Sequence, residues 1–282
     1  MTTIETPLTT LHQGDARDVL LTLADESVQT VVTSPPYWGL RDYGVDGQIG
    51  LEPTPELYVE NMVSIFRDVR RVLRSDGTLW LNMGDSYAGS GAGGGGNRKG
   101  NEHGQHNAVA KKGRPSALPT HKPKDLVGIP WRLAFALQAD GWYLRCDIIW
   151  SKPNPMPESV TDRPTKAHEY IFLLTKSARY YYDAEAIREP QRNKRSVWEI
   201  PTQPYSEAHF ATFPEALVRP CILAGTSEAG VVLDPFAGSG TTLAVATSLG
   251  RKSIGIELSD EYMEIARKRI TKQTPALPME TV

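Results

Sequence analysis

Short β-branched apolar runs alternate along the chain with longer stretches whose apolar residues recur at helical spacing. The runs predict strands at Gln29–Thr33, Thr78–Met83, Tyr143–Trp150, Glu169–Thr175, Val231–Asp234 and Ser253–Glu257. Helices are predicted over Pro55–Leu73, Leu126–Ala139, Pro214–Leu223, Thr241–Leu249 and Asp260–Ile270. In the first of these, Leu57, Met62, Ile65, Phe66, Val69, Val72 and Leu73 make a stripe that belongs in a core. Ser75-Asp76-Gly77 reads as the stop after it. Such alternation predicts an α/β domain, a mostly parallel sheet covered by helices.

Two stretches break the pattern. Gly89–Gly104 holds eight glycines in 16 residues, too little side chain to offset its ordering entropy, so residues 86–124 are expected to form a mobile loop. Asn154–Pro164 is rich in proline and reads as another loop. The chain of 282 residues is long enough for one large domain, and 1–282 is read as a single unit.

Composition is that of an ordinary globular protein, with 40% hydrophobic and 23% charged residues. No apolar run reaches the roughly 18 residues of a membrane span, and no secretory signal opens the chain. Two cysteines, Cys146 and Cys221, argue against a disulfide framework or a cysteine zinc site, and a reducing cytoplasm is expected. No metal site is expected; His103, His106 and His121 read as solvated.

Net charge is −2, so any surface for nucleic acid must be local. Between Ala88 and Lys124 the chain carries a net +6 over 37 residues. Arg98, Lys99, Lys111, Lys112 and Arg114 there are candidate phosphate contacts. Arg188–His209 interleaves cations with aromatics, making Arg192, Lys194 and Arg195 further candidates and 184–208 a small target-recognition segment. A solvated loop explains either stretch equally on charge alone.

Val231-Val232-Leu233-Asp234 reads as a buried strand followed by Pro235-Phe236-Ala237-Gly238-Ser239-Gly240 and a helix opening at Thr241-Thr242. Strand, glycine turn and helix place free N–H groups over a ligand at the sheet's carboxyl edge. About 20 residues on, a second strand ends in Glu257, placed to accept from ribose hydroxyls. A dinucleotide motif does not fit, because position 243 is Leu, and no Gly-Lys-Ser/Thr marks a P-loop. The whole string resembles the S-adenosylmethionine (AdoMet) loop of DNA methyltransferases that modify exocyclic amines.

Some two hundred residues earlier, Val31-Val32-Thr33 leads into Ser34-Pro35-Pro36-Tyr37. Two prolines stiffen the strand exit and end the ladder. An exocyclic amine of cytosine or adenine is a poor nucleophile, its lone pair delocalised into the ring. Acceptors at its N–H bonds, the Ser34 hydroxyl and Pro35 carbonyl, favour pyramidal geometry and turn the lone pair toward a methyl donor. Tyr37 offers a stacking face for a base that has left the duplex. The segment resembles the Asp/Asn/Ser-Pro-Pro-Tyr/Phe motif of the amino-methyltransferase family. Leu11–Asp15, Thr78–Asp85, Asp147–Pro155, His168–Tyr170 and Phe213–Leu217 are similar to other family blocks, and the likeness covers about residues 8–272.

The resemblance implies a Rossmann-like AdoMet-dependent methyltransferase fold: seven mostly parallel strands, one antiparallel, helices on both faces. The catalytic motif precedes the cofactor loop, which resembles the circularly permuted β-group order. Implied cofactor contacts are Asp15, Thr33, Phe213, Asp234 through Thr242, Glu257 and Leu258. Ser34 and Gly238 are expected at the carboxyl edges of adjacent strands. Implied partners are double-stranded DNA, a cognate restriction endonuclease and a second copy in a homodimer, with no membrane, in the cytoplasm of a prokaryote or from a phage. Ser at the first motif position leans toward N4 of cytosine, leaving N6 of adenine open. A non-catalytic DNA-binding module, or an RNA or protein methyltransferase, are the readings of other classes.

Overall fold

Val31 and Val32 are neighbours in one strand, yet each is buried in a different core. That alternation is the fold in miniature, because a strand covered on both faces sends successive side chains to opposite layers. A computed structural model describes residues 2–40, 44–45, 47–89, 121–203 and 213–273. The elements are β1 (Thr3–Glu5), β2 (Thr9–Gln13), α1 (Ala16–Thr22), β3 (Val28–Thr33), α2 (Pro55–Val72) and β4 (Leu73–Met83). They continue with α3 (Ile129–Ala139), β5 (Tyr143–Ser151), β6 (His168–Thr175), β7 (Val197–Glu199), α4 (Glu215–Gly225) and β8 (Val231–Asp234). The last are α5 (Thr241–Ser248), β9 (Lys252–Glu257) and α6 (Asp260–Gln273).

The sheet order is β1-β2-β9-β8-β3-β4-β6-β5-β7. From β2 to β5 this is the expected seven strands, with β6 alone antiparallel to both neighbours. The count differs at the edges. β1 adds antiparallel to β2, and β7 adds parallel to β5, making nine. Three residues each is too short for a period to show in the sequence.

Helices α1, α2 and α3 bury Leu20, Phe66 and Leu133 against one face with Val31, Leu79, Leu81 and Phe172. On the other face α4 and α5 pack Ile222 and Val245 against Val32, Trp80, Leu173 and Val232. α6 closes that layer with Met263, Ala266 and Ile270 around Leu11 and Leu243. The chain leaving β3 thus turns to one face and the chain leaving β8 to the other. β3 and β8 are hydrogen-bonded neighbours, so a crevice opens between their carboxyl ends.

The stop expected at Ser75-Asp76-Gly77 is instead the start of β4, which follows α2 directly. Distant groups hold it extended. Lys176 Nζ donates to the Leu73 carbonyl at 2.7 Å, and Tyr181 N donates to that of Asp76 at 2.8 Å. A Cβ on Gly77 would lie 2.5 Å from Leu73 Cγ, so this close approach requires glycine. Helix α1, with seven residues, is also absent from the expectation; the Asp15 carboxylate caps it by accepting from Arg17 N at 2.8 Å.

Candidate active site

The crevice is a cleft of about 720 Å³, with walls drawn from both sides of the β3–β8 junction. On the β8 side, Gly238 (φ +51°) and Gly240 (φ +77°) take left-handed conformations, and a Cβ at 240 would lie 2.9 Å from that of Ala266. Gly240 N closes the turn on the Ala237 carbonyl at 2.8 Å. Gly238 N donates to Glu257 Oε2 and Ser259 N to its Oε1, both at 2.8 Å. Burial pushes the Glu257 carboxyl up, against these two backbone donors.

Asp15 faces the same space from the end of β2, tied to β9 by Gly14 N donating to the Glu257 carbonyl at 2.9 Å. Burial alone would raise its carboxyl, but the hydrogen bonds and charge of Arg17 bring it below the usual range. Phe213, Phe236 and Ile256 supply apolar wall. Two carboxylates, apolar shelves and a backbone without side chain at Gly238 suit a nucleoside carrying hydroxyls and a cationic tail.

Of the expected cofactor residues, Asp15, Phe213, Pro235, Phe236, Ala237, Gly238, Ser239, Thr241, Glu257 and Leu258 line the cleft. Thr33, Asp234, Gly240 and Thr242 do not. Thr33 Oγ1 donates to Asp234 Oδ1 at 2.7 Å, Phe236 N reaches the same oxygen at 3.1 Å, and Thr242 Oγ1 donates to the Val32 carbonyl at 3.2 Å. Thr33, Asp234 and Thr242 brace strands β3 and β8 beneath the loop. Burial raises Asp234 to about 6, its hydrogen bonds offsetting only part of that cost.

On the β3 side, Ser34, Pro35, Pro36 and Tyr37 all line the cleft. Tyr58 of α2 donates from its hydroxyl to the Pro36 carbonyl at 2.9 Å, and Trp38 Nε1 to that of Glu52 at 2.8 Å, fixing the turn. A Cβ on Gly84 would come within 2.6 Å of Tyr37 Cε2, so glycine there makes room for the ring. The Ser34 hydroxyl donates to the Tyr37 oxygen at 3.3 Å. The Tyr37 hydroxyl reaches Glu169 Oε2 at 2.9 Å and Asn82 Oδ1 at 3.2 Å. Lys152 Nζ pairs with Glu169 Oε1 at 2.5 Å and sits 4.2 Å above the Trp150 ring.

Asn82, Lys152 and Glu169 had no role from sequence, although each lies at or beside the end of a predicted strand. Another unforeseen residue is Arg269 of α6. It is buried, and donates to Ser239 Oγ at 3.2 Å, Thr241 Oγ1 at 2.7 Å and Glu215 Oε1 at 2.8 Å, clasping the loop to α4. A cation at apolar spacing beside Ile265, Ala266 and Ile270 was its only signal. His168 packs edge-on against Tyr170.

The candidate DNA contacts fare differently. Arg98, Lys99, Lys111, Lys112 and Arg114 lie outside the described residues. The residues flanking that stretch pair antiparallel, Ala88 N with the Asp125 carbonyl at 2.8 Å and Val127 N with that of Ser86 at 2.9 Å, so the chain departs and returns at one place. Arg192 pairs with Glu189 at 2.7 Å, Lys194 lies over Trp198, and Arg195 accepts from Trp198 Nε1 through its carbonyl. None of these three lines the cleft; Thr202 and Gln203 of the same segment do, locked to Asn154 by Thr202 N donating to its Oδ1 at 2.8 Å. Among the described residues no cluster of His, Cys, Asp or Glu could hold a metal ion, and no helix is long and apolar enough to cross a membrane.

The N6/N4 methyltransferase family model, described as DNA methylase, matches residues 28–268. The Type II methyltransferase M.SmaI of Serratia marcescens is 54% identical over 267 residues, covering 92% of this chain and 90% of that protein. M.Cfr9I of Citrobacter freundii is also 54% identical, covering 93% and 87%. A DNA modification methylase structure from Thermus thermophilus, complexed with S-adenosyl-L-methionine, superposes with TM-score 0.66 at 27% identity, covering 95% of each chain. The cytosine-N4-specific PvuII DNA methyltransferase shares the fold at TM-score 0.72 and 21% identity, covering 94% and 86%. The cleft and these likenesses agree: the chain belongs to the family of AdoMet-dependent DNA amino-methyltransferases.

Proposed function

We propose that the protein methylates N4 of cytosine at a specific site in duplex DNA, as a Type II modification enzyme. The observation that carries this reading is Ser34 at the carboxyl end of β3, beside the β8 loop. Its hydroxyl donates to Tyr37, leaving the Ser34 oxygen as an uncharged acceptor for one amine N–H. The Pro35 carbonyl takes the other, and the lone pair then points across the crevice. AdoMet, held by the Gly238–Glu257 side, supplies an electrophilic methyl group. Glu257 binds its ribose hydroxyls and Asp15 its adenine end, and Phe213 and Phe236 exclude water from it. The target base enters by leaving the duplex. The 54% identity to M.SmaI and M.Cfr9I, both Type II methyltransferases, supports the site-specific role.

The test is chemical. DNA methylated by the purified protein is digested to nucleosides and separated. N4-methylcytosine is the expected product, and N6-methyladenine as the sole product would overturn the choice of base.

A further inference from the structure

A methylated exocyclic amine leaves the transfer step with a positive nitrogen carrying two protons, and one of them must go. In the acceptor pocket the donors run in one direction. Ser34 Oγ–H points to the Tyr37 oxygen at 3.3 Å, and Tyr37 O–H points to Glu169 Oε2 at 2.9 Å. Asn82 Nδ2 donates to the same Glu169 oxygen at 3.3 Å and to the Tyr170 carbonyl at 3.1 Å, which turns its Oδ1 toward Tyr37. Lys152 pairs with the other carboxylate oxygen. The chain therefore begins where the amine must sit and ends on a carboxylate.

We infer that Ser34, Tyr37 and Glu169 form a proton relay, with Glu169 the terminal acceptor of the proton released from the methylated amine. The inference rests on the amine-methylation reading above. The S–CH3 bond breaks as the N–CH3 bond forms, and the bonding pair returns to sulfur. The nitrogen's proton passes to Ser34 Oγ as the serine's own proton moves to Tyr37 and the tyrosine's to Glu169 Oε2. Nitrogen, serine and tyrosine finish neutral, and the carboxyl holds the proton until water removes it. Lys152 is a positioning residue, holding Glu169 with Oε2 toward Tyr37. Such assistance contributes on the order of 10²-fold or more to a rate.

The test is single-turnover methylation of a duplex bearing the target site, with Tyr37→Phe, Glu169→Gln and the double variant. AdoMet affinity, read by calorimetry, should stay within about twofold of wild type in all three and shows that they fold. Each single variant is expected to lose about 10²-fold in rate. The double variant should lose no more than either, because links of one chain are not additive. A solvent deuterium isotope effect present in the wild type should vanish in both single variants. Without cofactor, the Tyr37 hydroxyl proton should resonate downfield by NMR and lose that shift in Glu169→Gln. An unchanged rate in Glu169→Gln, losses that multiply, or a retained isotope effect would overturn the relay while leaving amine methylation standing. Wild-type protein that methylates no DNA amine would instead remove the reading on which it rests.

Discussion

The two walls of the cleft are built on different principles. The β8 wall is shaped by a backbone turn, left-handed glycines with N–H groups on Glu257, braced from beneath by the buried side chains of Thr33, Asp234, Thr242 and Arg269. The β3 wall is side chain: Ser34, Tyr37, Asn82, Lys152 and Glu169, drawn from four separate strands or strand exits. On the proposed reading, backbone suits the donor, which is the same molecule in every turnover and can be met by fixed geometry. On that same reading, side chains suit the acceptor, which must be admitted from a polymer, stripped of one proton and released.

If the walls are separable, each can be broken alone. The largest effect is expected for Ser34→Ala. Turnover should fall by about 10²- to 10³-fold, the cost of one closely aimed hydrogen-bonding group in a polar transition state. AdoMet affinity, measured by calorimetry, should stay within about twofold. Glu257→Ala should do the reverse. It strands Gly238 N and Ser259 N and removes the carboxylate proposed to accept from the ribose. Charge-assisted hydrogen bonds contribute about 1.5–3 kcal/mol each, so a rise in Kd for AdoMet of about 10²-fold is expected. If each variant damaged both affinity and turnover equally, the walls would be one unit.

The bracket beneath the donor wall predicts a pH effect on folding. Asp234 stands at about 6 in the fold, and an ordinary carboxylate at about 4 in the unfolded chain. Between these values the folded state holds the proton more tightly, so the contribution is full below about pH 4 and lost as pH rises through 6. At about 1.4 kcal/mol per unit, the loss is about 2–3 kcal/mol. Asp234→Asn keeps an acceptor for Thr33 and Phe236 N but cannot ionise. In urea titrations without cofactor, its stability relative to wild type should therefore improve by that amount from pH 4 to pH 7. A difference that stays flat with pH would mean that Asp234 ionises as freely in the fold as in the unfolded chain.

The same contrast decides what could be read before folding. Asp234–Thr242 was legible as one contiguous string, because a glycine turn and the N–H groups it frees are local properties. Ser34–Tyr37 was legible for the same reason. The relay was not. Trp150 faces Glu169 and Asn82 faces Ile171 only through the registers of β5, β6 and β4, and alternation says which face a residue takes, not which residue lies opposite. Six of the sheet's central seven strands followed from apolar runs, and β2 only from the likeness of Leu11–Asp15 to a family block, whereas β1 and β7 are held by pairing and too short to have a period. Thr33 and Thr242 sit in motifs assigned to the cofactor, yet motif membership carries no depth, and in the fold they serve as braces.

Arg269 tests how far the donor wall depends on side chains after all. It is a guanidinium with 9% of its side chain exposed, bonded to Ser239, Thr241 and Glu215. Glu215 is 43% exposed, so losing the cation leaves it to water at little cost, whereas the two loop hydroxyls lose their donor inside the fold. Arg269→Met keeps the volume of the stem and removes only the donors. Because Gly238 stays on Glu257 and Ala237 N on the Ile256 carbonyl, the loop keeps its turn and loses one of its anchors. Kd for AdoMet is expected to rise about tenfold, equivalent to about 1.4 kcal/mol. At saturating AdoMet the turnover should remain within about twofold, since no Arg269 atom belongs to the acceptor wall. Unchanged affinity would show that glycine conformation and Glu257 suffice to shape the loop. A loss of turnover at saturation would show that α6 reaches the acceptor side, and that the two walls are mechanically one.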